Sequence, residues 1–494
     1  MVVMSIRRCL ILGCMVAALR VLSAGQNPPS QDPPTQNPPG ESSSDAGASD
    51  RTAPAPALSA IAGMQGGSVE DTSSSLPQIP ALLGGTGISS NFISELERSN
   101  FLRAGLNVGA AYDSNPLLLS SGAESNTSES IFPNIRIEES SPRVRWSLGY
   151  AGGLTVNQRF TNQDEGSHNL NFDSQYRLSP HVNLRVAENF SITTGFFDAG
   201  NDAQVEPGAG EPNSSLITPI STERSSMTTV ETNYHFALND LVGASGSFYD
   251  LHFTNLPTNV PAGTVLTDTQ TASASAFWLH RIFGPDWAGI SYRFDRITFN
   301  PVGETQVHSF LAVDTVSISK RITLAGFIGP QYSENQGLVP GATLAAQSNA
   351  WSVAGGVEGS WKNQHTSVSA GYSRTISDGG GVLGAVRLAT VHGNVRRQLT
   401  PGWAAAVNAS YGTNQSLTVP FADSASSIDV TSAGVSVERN VGKSIGLRMG
   451  YAHDFQQQFG APGLTPTSPL QTLDASRNRF YFTLSYQWAK PLGM

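Results

Sequence analysis

The sequence predicts an all-β chain folded as a transmembrane, antiparallel, up-and-down β-barrel of about 18 strands behind a disordered leader, with about 16 strands as the alternative. Three observations predict it. From Arg479 to Trp488 one parity carries Phe480, Phe482, Leu484, Tyr486 and Trp488, while the other carries Arg479, Thr483, Ser485 and Gln487. That is the period of a strand with one apolar and one polar face. Runs of the same kind recur along most of the chain, separated alternately by tight turns and longer polar loops, as in a barrel with turns in the periplasm and loops outside. Charged residues make up only 14% of the chain, against about 25% in ordinary soluble proteins, because half of every strand would face lipid.

The first residues read as an address. Arg7 and Arg8 form a basic start, Cys9 to Leu19 an apolar core, and Ser23-Ala24-Gly25 a small-residue exit, so residues 1–25 are expected to be a signal peptide. A membrane anchor would need about 20 apolar residues, and Arg20 interrupts this shorter run. A lipoprotein reading through Ile11-Leu12-Gly13-Cys14 has too short an apolar stretch before the cysteine. Both cysteines, Cys9 and Cys14, fall inside this segment. The exported chain would therefore hold no disulfide, thiolate nucleophile or cysteine metal site. After it comes no run of about 18 apolar residues, which excludes transmembrane helices from the exported part. A barrel pattern behind an export signal places the chain in a bacterial outer membrane.

Residues 26–99 are rich in Pro, Ser, Gly and Ala and open on Gln26-Asn27-Pro28-Pro29, Gln31-Asp32-Pro33-Pro34 and Gln36-Asn37-Pro38-Pro39. Such a segment buries too little apolar surface to offset its chain entropy, and its prolines favour polyproline II geometry. It is expected to be a periplasmic spacer, with one helical turn at Asn91 to Arg98. The barrel is assigned to residues 100–494. Its first strand is expected over Phe101 to Tyr112, with Leu102, Ala104, Leu106, Val108 and Ala110 on one face. Clear parity follows at Val144/Trp146/Leu148/Tyr150, Leu170/Phe172/Tyr176, Val230/Tyr234/Phe236, Ala288/Ile290/Tyr292, Trp351/Val353/Val357/Trp361 and Ile445/Leu447/Met449/Tyr451. Tight turns are expected at Ser141-Pro142, Ser179-Pro180, Asn239-Asp240, Gly284-Pro285, Lys320-Arg321, Asn363-Gln364, Pro401-Gly402 and Val441-Gly442. Longer external loops are expected between them, including 198–222 and 378–384. The stretches 130–138 and 385–399 alternate poorly, which is the source of the lower strand count. Barrels of about 16–18 strands generally enclose an aqueous lumen.

Parity assigns Arg103, Arg143, Arg145, Arg177, Arg185, Arg293, Asp295, Arg448 and Arg479 to the polar, lumenal face, making them candidates for setting selectivity. An arginine-lined lumen concentrates anions, so an anionic solute or a saccharide is an expected partner. The alternative is that these arginines pair with neighbouring carboxylates and merely solvate the wall. The chain holds 29 basic and 38 acidic residues, with the acids gathered in the loops. Other expected partners are outer-membrane lipid, lipopolysaccharide and the barrel assembly machinery, which would read Phe482, Tyr486 and Trp488. Nucleic acid is not expected.

Catalysis finds little support. The chain has no Gly-x-Ser-x-Gly elbow, no His-Glu-x-x-His and no spaced metal cluster, so no catalytic residue, metal or cofactor is assigned. Asp250 with His252, and His453 with Asp454, read as polar groups of the rim. Asp378-Gly379-Gly380-Gly381 reads as turn chemistry, glycine permitting positive φ.

The stretch Gly109-Ala110-Ala111-Tyr112-Asp113-Ser114-Asn115-Pro116, together with the turn pattern and the aromatic final strand, resembles outer-membrane β-barrel proteins of the porin-like family, some of them associated with exopolysaccharide export. The tail Ala489 to Met494 departs from it, because many such barrels end on the aromatic residue. The resemblance implies passage of saccharides or small solutes rather than chemistry. The leading functional expectation is therefore a passive channel for hydrophilic solutes or exported polysaccharide. Next comes a structural or adhesive display barrel acting through its loops, and last a barrel hydrolase.

Overall fold

The computed structural model describes residues 100–492 except 120–121, 162–164, 195–220, 255–265, 284–285, 301–302, 339–344, 382, 418–426, 443 and 460–473. The expected signal peptide, leader and helical turn, and nearly all of the loop at 198–222, lie outside the described residues. The strands are β1 (Phe101–Asp113), β2 (Asn126–Ser140), β3 (Val144–Asn157), β4 (Glu165–Arg177), β5 (Val182–Thr194), β6 (Thr222–Ala237), β7 (Asp240–Thr254), β8 (Asp268–Phe283) and β9 (Asp286–Asn300). They continue as β10 (Gly303–Ser319), β11 (Ile322–Leu338), β12 (Ala345–Lys362), β13 (Thr366–Gly379), β14 (Leu383–Thr400), β15 (Trp403–Ser416), β16 (Ser427–Val441), β17 (Ile445–Phe459) and β18 (Ala475–Pro491). Each strand pairs with its chain neighbours, and β1 pairs with both β2 and β18, closing one 18-stranded antiparallel sheet. Closure removes the sheet edges that lipid cannot solvate.

All eight expected tight turns join consecutive strands, from β2–β3 through β16–β17. Side-chain oxygens hold several of them: Asn363 Oδ1 accepts the N–H groups of His365 and Thr366 at 2.9 and 2.8 Å, an Asx-type reversal that needs no glycine. The weakly alternating stretches 130–138 and 385–399 are strands β2 and β14, so the count is eighteen. Pro133 explains part of the weak signal. It has no N–H for a ladder, and the β2–β3 register skips Phe132 and Pro133.

Alternation is sharp around the wall. On β18, Phe480, Phe482, Leu484, Tyr486 and Trp488 are exposed on the outside while Arg479, Thr483 and Ser485 are buried within. Outward aromatics bracket the belt: on β12, Trp361 lies beside the periplasmic turn and Trp351 near the other end. The ten-residue step between them, at about 3.3 Å per residue and a tilt of about 45°, spans roughly 25 Å, the height of a barrel's apolar band. A closed barrel with this girdle belongs in the bacterial outer membrane.

The Asp113-Ser114-Asn115-Pro116 stretch ties the two ends of the barrel together. Asp113 Oδ2 receives Arg477 Nη2 at 2.5 Å and Nε at 2.7 Å, both side chains being buried. Asp113 Oδ1 accepts the Asn115 N–H at 3.0 Å. Ser114 N donates to Asn478 O at 2.9 Å, and Ser114 Oγ accepts the Asn478 N–H at 2.8 Å. Asn115 Nδ2 donates to the carbonyls of Leu119 and Ser476 at 2.9 and 3.1 Å, and its Oδ1 accepts the Leu119 N–H at 2.9 Å. This bracket holds Leu118 at a φ of 52°, a left-handed conformation unusual for a γ-branched residue. Past Trp488, Ala489 to Pro491 stay paired with β1, so the aromatic residue is not the end of the last strand.

The inner face is uneven. On β7 to β12 it presents Leu241, Phe277, Leu279, Trp287, Leu311, Val313, Phe327 and Ala354, packed as one buried apolar cluster. Glycine lets the neighbouring strands β8 and β9 pack closely here: a Cβ at Gly289 would lie 1.9 Å from Trp278 O. The expectation of a uniformly polar lumen is therefore corrected over this sector.

Candidate functional site: a lumen crossed by one hairpin

The loop expected outside at 378–384 does not stand outside. β12 pairs with β11 from Ala345 to Trp361, but with β13 only over Gly355–Lys362 against Ser367–Arg374. Beyond Arg374, β13 stays with β14, from Thr375↔Leu388 to Gly379↔Leu383, and leaves β12. The hairpin tip then reaches a distant part of the wall. Gly381 O accepts the N–H of Thr267, next to β8, at 2.7 Å. Ala385 of β14 packs with Ile297 and Phe299 of β9. Along the wall β8 and β13 stand five strand steps apart, roughly 24 Å at about 4.8 Å per step, so these contacts run across the lumen.

Local sequence makes this bend feasible. Gly380 and Gly381 adopt φ values of 57° and 77°, which L side chains rarely do. At Gly381 an added Cβ would meet Phe253 at 2.2 Å and Thr267 O at 3.2 Å. Ile376, on the outward parity of β13, is buried, so the apolar side of the tip meets protein instead of lipid. The turn chemistry was readable in sequence; the direction was not.

Charges gather on the inner face in three groups. On β4, β5 and β6, Arg185 Nη2 lies 2.5 Å from Asp173 Oδ2 and Arg185 Nη1 lies 3.7 Å from the buried Glu231. On β1 and β2, Arg136 Nε is 2.7 Å from Glu138 and Arg103 Nη2 is 3.6 Å from it. On β14, β16 and β17, Glu438 takes Arg396 at 2.8 Å and Arg448 at 3.6 Å. Higher up, Arg479 pairs with Asp454 at 2.7 Å and Arg293 with Asp295 at 2.8 Å, all four buried. Arg103, Arg185, Arg293, Arg448 and Arg479 thus all have carboxylate partners, the arrangement of the alternative stated above. Arg145 faces inward and is exposed at the periplasmic rim. Arg177 closes β4 at the same rim. Arg143 is not on the wall: it lies in the β2–β3 turn, where its carbonyl accepts the Arg177 N–H at 2.8 Å.

Sequence reasoning did not single out Arg136, Glu138, Arg396, Glu438 and Arg477 as site residues. Parity could have placed Arg477 on the face of Arg479. Which carboxylate meets which arginine depends on register between strands, which parity does not give.

On the outer face, His252 Nδ1 lies 2.5 Å from Asp268 Oδ2, and Ser226 Oγ donates to Glu188 Oε1 at 2.9 Å. His453 Nδ1 lies 2.9 Å from Asn478 Oδ1. These are cross-strand pairs between outward polar side chains.

No protein-family model matches the chain, and no curated protein matches it. Among solved structures it is similar to the outer membrane protein OpdK from Pseudomonas aeruginosa, at 10% identity and a TM-score of 0.39, covering 79% of this chain and 99% of that one. It is also similar to OccAB3 of Acinetobacter baumannii, at 9% identity and a TM-score of 0.39, with 79% and 99% covered. A third similar structure is the ferric citrate transporter FecA, at 9% identity and a TM-score of 0.40, with 79% of each chain covered.

Proposed function

We propose that this barrel is a passive outer-membrane channel for small hydrophilic solutes whose aperture is set by the β13–β14 hairpin. The observation that carries the reading is the hairpin tip hydrogen-bonded to Thr267 across the lumen, above an inner face that carries arginine–carboxylate groups. An inward segment leaves room for small solutes and would have to move for a hydrated polysaccharide, so the small-solute reading is preferred to polysaccharide export. Arg145 and Arg177 at the periplasmic rim supply positive potential there. In the same reading, lipopolysaccharide surrounds the outer rim, and the assembly machinery reads the outward Phe482, Tyr486 and Trp488.

Selectivity follows from the groups that line the path. Arg185 holds two carboxylates, Asp173 and Glu231. Replacing it by Gln leaves both uncompensated, so Arg185→Gln is expected to move the salt-gradient reversal potential toward cations. An unchanged reversal potential in a correctly folded variant would place the cluster off the conduction path.

A further inference from the structure

We propose that the seam between β12 and β13 is a lateral portal through which a phosphate-bearing, single-chain amphiphile of the outer leaflet passes between lipid and lumen. This is a second route, separate from the aqueous path proposed above.

The portal follows from the ladder. Because β13 leaves β12 beyond Arg374, β12 has no ladder partner on that side from Ala345 to Ala354 among the described residues. The gap begins below Trp351, the upper girdle residue of β12, so it opens into the upper part of the lipid band and not above it. Trp351 stands on this unpaired stretch and is 70% exposed. Unpaired backbone at membrane depth is tolerated only where it meets protein or lines a cavity.

The two sides of the gap have different chemistry. Inside, Ala354 at the foot of the gap belongs to the packed apolar cluster of Leu311, Val313 and Phe327, the side toward which an alkyl chain would turn. Outside, Arg374 and Arg387 are near neighbours on one face, since Arg374 pairs with Ala389 and Ile376 with Arg387. Among the described residues neither forms an ion pair, and Arg387 Nε is buried without a hydrogen-bond partner. Its Nη1 makes one long contact, 3.4 Å to Gln415 Oε1. Other outward arginines near the extracellular ends are engaged: Arg296 meets Glu304 at 2.6 Å, and Arg224 lies over the Phe190 ring at 5.5 Å. Arg374 sits two residues beyond the outward Tyr372 and opposite Gly355, below Trp351, where its long stem lets the guanidinium rise toward the headgroups. The guanidinium fork matches phosphate oxygens in pairs.

The test uses the full barrel refolded in phosphatidylcholine vesicles and an alkyl phosphate carrying a diazirine in its chain. Photolabel is expected on the inner residues of β10 to β12, and capture there should fall about tenfold, equal to about 1.4 kcal/mol, in R374Q/R387Q but not in R374K/R387K. The corresponding alkanol should label the outer belt only. Heat-modifiable migration on gels confirms that each variant is folded. Equal labelling in R374Q/R387Q, or label confined to the outer belt, would overturn the portal. A second probe is the pair V353C/I376C, which continuation of the β12–β13 register would place opposite each other. No spontaneous disulfide is expected in the membrane; ready formation would mean that the seam is zipped and the portal does not exist.

Discussion

Asp113→Ala is expected to destabilise the barrel by about 3–5 kcal/mol, because it leaves Arg477 as a buried charge without its carboxylate. The change also removes the acceptor for the Asn115 N–H, so the bracket that holds Leu118 at positive φ loses its base. The effect is concentrated where the chain closes on itself, between the first strand and the last. The midpoint of urea unfolding in lipid vesicles, followed by heat-modifiable migration, measures it. The double variant D113L/R477M should recover part of the loss, since no charge is then orphaned. A midpoint equal to that of the parent in D113A would show that the seam is held by the ladder alone.

Removal of the hairpin tip, residues 378–382, is expected to enlarge the passage. The tip lies past the last β12–β13 pair, so its removal takes no hydrogen bond from the β12–β13 ladder. It does remove the Gly381–Thr267 bond and the chain that crosses the lumen. A gain of about threefold or more in disaccharide uptake relative to monosaccharide is expected in liposome swelling, as the narrowest section governs passage. Gly381→Val should act in the same direction but more weakly, because the tip must move away from Phe253 to accept a Cβ. Swelling rates unchanged by the deletion would mean that the hairpin does not set the aperture.

Most of the architecture was legible because lipid enforces period two on the outside: a one-residue slip would turn a whole apolar face inward. The Phe480-to-Trp488 run and the eight tight turns therefore read correctly from local sequence. β2 and β14 read poorly for local reasons. Pro133 interrupts one ladder, and Arg387 places a charge on an outward face where parity expects an apolar residue. The hairpin was not legible because its direction depends on β13 parting from β12 and on apolar contacts with β9, neither of which lies within a few residues of the glycines. The same holds for the charge groups. Arg185 and Glu231 sit on a common parity, but only the β5–β6 register opposes them directly. Asp113 and Arg477 stand near opposite ends of the barrel sequence, and only closure brings them together.

The central claim is that the barrel conducts through a lumen narrowed by its own hairpin. Single-channel conductance of the refolded full-length protein in a planar bilayer tests it most directly. Small, stable, ohmic steps that grow when residues 378–382 are removed are the predicted result. Silence in both the parent and the shortened barrel, or large steps indifferent to the deletion, would contradict it.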